Sequence, residues 1–310
     1  RDNNNNFNLH FYPPIEKISN NVSDIEKVKL NATKGKEVYM SEKKQFYAYD
    51  ESINKFDALE GSAEFTSHSL VYLKDEYLSL NYLTFYFFSN SKEMAESSEH
   101  IQFLGDKYNL PEVLRKEDMV QLLLDNVADG SILLIDGPLI AGDAFVYMMK
   151  AIKAFYEKSI IPIFFVKNSD SNLVTDNIIE WNGRYNSDLH WAHNFLNPGE
   201  RTNFFFYRDL ANSENAKAFC YIKSFNLSPQ RIEVDLKTYE KYSSEINLLM
   251  DVMYYLIIVQ GDLLNPQVRP IAIAEKYARE TLRLIDPNKY LSETGITPTM
   301  NQTRFGEFYG

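Results

Sequence analysis

The sequence predicts an α/β fold with a mixed central sheet flanked by helices, and three observations carry that prediction. Strand-like segments come first and then alternate with helical ones, the order expected when helices cover a partly parallel sheet. In "SILLIDGPLI" (131–140) an unbroken apolar run, Ile132 to Ile135, reads as a central strand covered on both faces. Apolar residues make up 45% of the 310-residue chain, enough for a large core.

Residues 1–14, "RDNNNNFNLHFYPP", combine an Asn run with two prolines and read as a disordered or loosely docked arm. A charged helical period follows from Ile15 to Leu30. "KQFYAYDESINKFDALEGSAEF" gives aromatic strand-like runs broken by polar turns. Two further strands, His68–Leu73 and Tyr77–Phe88, flank a bend at Lys74, Asp75 and Glu76, so an antiparallel meander opens the domain. Pro111 at a first helical position starts a helix over 111–126, with an apolar stripe at Val113, Val120 and Leu124. The strand at 132–136, a helix over 144–158 and a strand ending at Lys167 come next. A polar connection spans 168–203, strands follow at "NFFFYRDL", "AFCYIKSF" and "QRIEVDL", and helices over 242–259 and 269–284 close the fold before a tail ending "RFGEFYG". The division expected is an N-terminal arm and helix over 1–42 and a catalytic domain over 43–310.

The single Cys220 excludes an internal disulfide and fits a reducing, cytoplasmic compartment. No stretch reaches the roughly 18–20 apolar residues of a membrane span, and nothing near Arg1 has the form of a signal h-region. The net charge of −11 argues against a protein that coats nucleic acid non-specifically, but leaves room for a nuclease whose acidic site works through metal ions.

Four carboxylates stand where apolar residues are expected. Asp136 ends a doubly covered strand, and burying its charge costs several kcal/mol unless something positive meets it. Glu117 shares the helical stripe of Val113, Val120 and Leu124, and Glu275 abuts the stripe Ile271, Ala274, Ala278, Leu282. Glu60, in "FDALEGS", has the acid-Gly form of "LLIDGPL". Three of them have a local alternative: a turn carboxylate capping its own amides for Asp136, an outward charge or a pair with Arg115 or Lys116 for Glu117, and a pair with Arg279 for Glu275. If they converge, a divalent cation must lie between them, and hard oxygen ligands suit Mg²⁺ or Mn²⁺ rather than Zn²⁺. Strands ending in acid-Gly with a helix carboxylate between them in sequence are an arrangement seen in ribonuclease H-like nucleases. His190 and His193 with Asp188 mimic a metal cluster, but no Cys or second His pair supports zinc, and they read as loop residues.

Taken in order, "FDALEGS", Glu117 nineteen residues before the Asp136 of "LLIDGPL", "FFVKNS", "NPGERTNFFFYR", "RIEV" and "RPIAIAEKYARE" resemble the NurA nuclease family over roughly residues 45–285. The resemblance implies a ribonuclease H-like core and a Mn²⁺-dependent deoxyribonuclease with 5′ to 3′ exonuclease and single-strand endonuclease activity. It also implies a homodimer working in DNA end resection, in homologous recombination and repair, with a HerA-type hexameric ATPase. By position it assigns Glu60, Glu117 and Asp136 to the metal and to catalysis, Glu275 to the metal, and Lys167 to the scissile phosphate. Two departures stand out, Glu60 where the family has Asp and Glu275 where it has His. They leave open an alternative, a catalytically silent subunit that serves as an assembly or DNA-guiding module.

Overall fold

The structure, a computed structural model, describes residues 7–12, 25–41, 43–73, 77–97, 101–107, 109–140, 145–178, 181, 183–209 and 215–293. Its strands are β1 (Phe7–Tyr12), β2 (Lys27–Lys29), β3 (Phe46–Asp57), β4 (Ser62–Leu73), β5 (Tyr77–Ser89), β6 (Ile101–Phe103), β7 (Ile132–Asp136), β8 (Ile161–Val166), β9 (Glu200–Thr202), β10 (Phe204–Asp209), β11 (Ala216–Lys223) and β12 (Gln230–Asp235). Its helices are α1 (Ala32–Met40), α2 (Lys92–Ser97), α3 (Leu110–Asn126), α4 (Phe145–Glu157), α5 (Asp188–Phe195), α6 (Leu236–Gln260), α7 (Arg269–Arg283) and α8 (Pro287–Glu293).

All these strands join one sheet, in the order β1-β10-β11-β12-β8-β7-β3-β4-β5-β6, with β9 and then β2 branching from β11. β3, β4 and β5 form an antiparallel meander, while β7 lies parallel to β3 and β8 parallel to β7. This is the expected ribonuclease H-like core, extended by an antiparallel half. The run Ile132–Ile135 explains the layering. Ile132 and Leu134 pack with Ile246, Met250 and Ile271 on the α6/α7 side. Leu133 and Ile135 pack with Met119, Leu123, Met148 and Phe155 on the α3/α4 side. With both faces covered, alternation has nothing to mark, so the strand reads as continuously apolar. No described helix is long and apolar enough to cross a membrane.

The structure corrects several expectations. Phe7–Tyr12 is an edge strand paired antiparallel with β10 rather than a loose arm. Of the helix expected over Ile15–Leu30, residues 13–24 lie outside the described residues, and Lys27–Lys29 pairs as a strand with β9. At Lys27–Lys29 the backbone groups find their partners on β9, so the sheet edge takes the place of the helix there. The described helix of the N-terminal region is α1. In the connection 168–203, the pair His190 and His193 stands on α5, begun by a Ser187 cap, rather than in a loop. Helix α6 starts earlier than expected, at an Asp235 cap, and Tyr242 marks a kink (φ −119°, ψ 26°) instead of the helix start. The aromatic tail "RFGEFYG" falls outside the described residues.

Helix α1 packs closely on α6 through Gly35, where an added Cβ would lie 2.0 Å from the Asp251 carbonyl oxygen. Backbone cannot retreat cheaply, so Gly35→Ala is expected to cost about 1–3 kcal/mol, the usual range for overpacking. Urea denaturation of the two proteins would measure it, and equal midpoints would contradict the close approach.

Candidate active site

β3 and β7 run parallel in a register that pairs Tyr49 with Ile135, so Asp50 and Asp136 follow side by side on adjacent strands. Strand spacing of roughly 4.8 Å brings their carboxyl groups together. Both have the side-chain parity of Ala48 and Leu134, which pack on the α6/α7 side. Asp50 is 8% exposed. Its Oδ1 accepts the Glu51 amide at 2.8 Å. Asp136 Oδ1 is buried with no hydrogen-bond partner. Gly137, at φ +100°, makes the turn that follows, and its amide donates to the Phe165 carbonyl at 2.9 Å. A residue with a Cβ is strained there, which gives the acid-Gly pair a backbone reason.

Lys167 projects from the end of β8 into this group. Its Nζ lies 3.1 Å from Asp136 Oδ2 and 3.3 Å from Glu275 Oε2. It also donates to Gln267 Oε1 at 2.8 Å. Glu275 accepts from Gln267 Nε2 at 3.1 Å and pairs with Arg279 four residues on. One Glu275 oxygen therefore faces Lys167 and Gln267 and the other faces Arg279, the i,i+4 pair expected from the sequence. The small side chains of Ala274 and Ala278, both fully buried, leave room for α7 to lie against β3 and β4.

Burial is the first cause of the strained electrostatics. It pushes the Asp50 carboxyl up to about 8, with the Asp136 and Glu275 charges adding to the shift. Burial also raises Asp136, against the opposing pull of Lys167. For Lys167 burial works against the charge, but Asp136 and Glu275 outweigh it and raise the pKa. Burial likewise opposes the charge of Glu275, and Gln267, Lys167 and Arg279 together lower its pKa.

Among the described residues no three acidic, His or Cys side chains stand ready as a metal-ion cage. Lys167 holds the space between Asp136 and Glu275. The donor chemistry still fits a hard divalent cation: two carboxylates on neighbouring strands, one oxygen without a partner, and a shared negative charge that Asp50 relieves by keeping its proton.

An acid whose folded-state pKa lies above its unfolded value contributes stability at low pH and loses it as pH rises through the folded value. With chelator present, stability is expected to fall by a few kcal/mol between about pH 4 and 8, where the unfolded chain has lost this proton and folded Asp50 still holds it, and Asp50→Asn is expected to flatten that slope. Denaturation midpoints across pH would check this, and equal slopes in both proteins would refute it.

The structure does not bring Glu60 or Glu117 to this group. Glu60 lies in the turn between β3 and β4, beyond Asp57, which ends β3 seven residues and so roughly 23 Å along the strand from Asp50. Its glycine has another purpose: a Cβ on Gly61 would sit 1.9 Å from the Phe88 carbonyl oxygen. The acid-Gly-Ser sequence there marks a crowded hairpin. Glu117 is exposed, because the buried stripe of α3 is Met119, Leu122 and Leu123. At 100° per residue that stripe is turned roughly 170° from Glu117. Val113, Val120 and Leu124 only flank the core. Arg115 takes the inward position instead and pairs with Glu51 and Glu64.

Asp50 is the residue that sequence reasoning missed. Its signal was present in "FYAYD", an aromatic and apolar run ending in a carboxylate like the run before Asp136. Asp188, part of the apparent metal cluster, is fully buried and accepts from Val174, Thr175 and Tyr221. Arg201 donates to the Thr202 carbonyl and to Asn247 Oδ1, both at 2.8 Å.

A NurA domain model matches residues 51–280. Among solved structures, the chain is similar to the NurA nuclease from Sulfolobus solfataricus, at TM-score 0.52 and 13% identity over 87% of this chain and 88% of that one. It is more distantly similar to endonuclease V of Ciona intestinalis in complex with DNA, at TM-score 0.38 and 14% identity over 80% of this chain and 89% of that one. For Argonaute of A. aeolicus the TM-score is 0.36 and the identity 15%, over 78% of this chain and 29% of that one. A search of the curated proteins finds no match.

Proposed function

The chain belongs to the NurA domain family, and from that premise we propose that it is a divalent-metal-dependent deoxyribonuclease acting at the Asp50, Asp136, Lys167 and Glu275 group. The observation that carries the reading is the buried, partnerless Oδ1 of Asp136 beside an Asp50 that keeps its proton near neutrality. Buried polar atoms are nearly always satisfied, so an orphaned carboxylate oxygen argues for an absent ligand.

Asp50 and Asp136 are the residues that would hold Mn²⁺ or Mg²⁺. Such an ion supplies Lewis acidity toward a phosphoryl oxygen and an acidified water. With a cation held there as the neutralising charge, Asp50 would no longer need its proton. Lys167, drawn toward Asp136 and Glu275 in the free protein, would turn its ammonium onto a phosphate oxygen. Gln267 and Arg279 keep Glu275 oriented while Lys167 moves.

The net charge of −11 predicts weak DNA affinity for the isolated protein. A homodimer fed with DNA by a HerA-type hexameric translocase would overcome that, and end resection with 5′ to 3′ polarity and single-strand cleavage is the corresponding process. The rival reading, a silent NurA-like subunit, draws on the outward position of Glu117 and on Glu275 standing where the family has His. Incubating the full chain with linear duplex and single-stranded DNA, with Mn²⁺ or with chelator, decides between them. Metal-dependent cleavage is expected. No cleavage in Mn²⁺ or Mg²⁺, even with the translocase present, would hand the case to the silent subunit.

A further inference from the structure

Three charges lie buried on the sheet face opposite Asp50 and Asp136. Glu233 of β12 is fully buried, with Lys217 and Arg231 each 4% exposed. Glu233 Oε1 lies 2.6 Å from Lys217 Nζ and 2.7 Å from Arg231 Nε. The second contact is charge attraction only, since the Nε–H has no hydrogen-bond partner.

The remaining bonds of this triad leave the sheet for two loops. Glu233 Oε2 accepts the Leu139 amide at 2.9 Å, three residues beyond Asp136. Arg231 Nη1 donates to Ser169 Oγ at 2.9 Å and also to Ser171 Oγ, two and four residues beyond Lys167. A buried ion triad is costly to desolvate, and apolar side chains of equal volume usually stabilise a core as well or better. What apolar side chains would lack is a hold on Leu139, Ser169 and Ser171.

We propose that Glu233 and Arg231 are positioning residues, fixing the loops after β7 and β8 and so the backbone from which Asp136 and Lys167, 3.1 Å apart in the free protein, enter the site. The claim of a catalytic consequence rests on the nuclease reading above; the claim of loop fixation does not. Catalytic geometry tolerates little error, and a displacement of about 1 Å costs roughly 10²-fold in rate.

The test compares the full chain with its Lys217→Met/Arg231→Met/Glu233→Leu variant. The variant is expected to fold, with the amides of Gly137, Leu139, Ile140 and residues 168–171 exchanging faster with deuterium. Its kcat is expected to fall roughly 10²-fold with KM nearly unchanged. Should the triple variant not fold, Ser171→Ala removes one acceptor of Arg231 while Ser169 Oγ still accepts the Ser171 amide, and it is expected to loosen 168–171 and lower kcat in the same sense. Unchanged exchange in the loops overturns the proposal, as does loosened exchange with kcat intact. A parent protein without cleavage whose variant loops still loosen would sink the nuclease reading and leave loop fixation standing.

Discussion

Asp50→Ala is expected to reduce metal-dependent DNA cleavage by roughly 10³-fold or more, while Glu60→Ala leaves it within about twofold. The reasoning is geometric. Asp50 stands beside Asp136 on the neighbouring parallel strand, whereas Glu60 lies at the far end of the same long strand, in a hairpin turn. Removing Asp50 takes away one of the two carboxylates able to share a cation and leaves Asp136 facing Lys167 alone. Removing Glu60 alters a partly exposed turn whose conformation depends on Gly61. Single-turnover cleavage in Mn²⁺ measures both, and a large loss in Glu60→Ala with none in Asp50→Ala would move the site to the hairpin.

The second large effect concerns stability. Asp188 accepts from the Val174 and Thr175 amides, from Thr175 Oγ1 and from the Tyr221 hydroxyl at 2.8 Å, all inside the cluster around Trp181 and Trp191. Asp188→Ala would leave several buried donors without acceptors, at about 1–3 kcal/mol each before relaxation. The expected loss is on the order of 3–5 kcal/mol, seen as a lower urea midpoint. Asp188→Asn, which keeps the shape and part of the accepting capacity, is expected to lose less. Equal losses from the two substitutions would mean that packing and not hydrogen bonding holds the 168–187 connection in place.

The same residue illustrates how chemistry-bearing patterns mislead. Asp188, His190 and His193 have the spacing of metal ligands, but spacing says nothing about which donors surround each side chain once the chain folds. The amides that occupy Asp188 come from residues 13 and 14 positions earlier. Glu117 failed for a related reason. Two different apolar stripes fit α3, and only the packing of Met119, Leu122 and Leu123 against β7 and α4 decides which one turns inward.

By itself the sequence determined the α/β class, the meander followed by parallel strands, the doubly covered strand ending in Asp136, and the inward edge of α7 that carries Glu275. Apolar periodicity and turn chemistry are local properties, and they survive whatever the rest of the chain does. Tertiary structure alone decided which carboxylates meet. Asp50 and Asp136 are 86 positions apart in the chain, and only the register of a parallel strand pair, set by burial on both faces, puts them next to each other with Lys167 between Asp136 and Glu275.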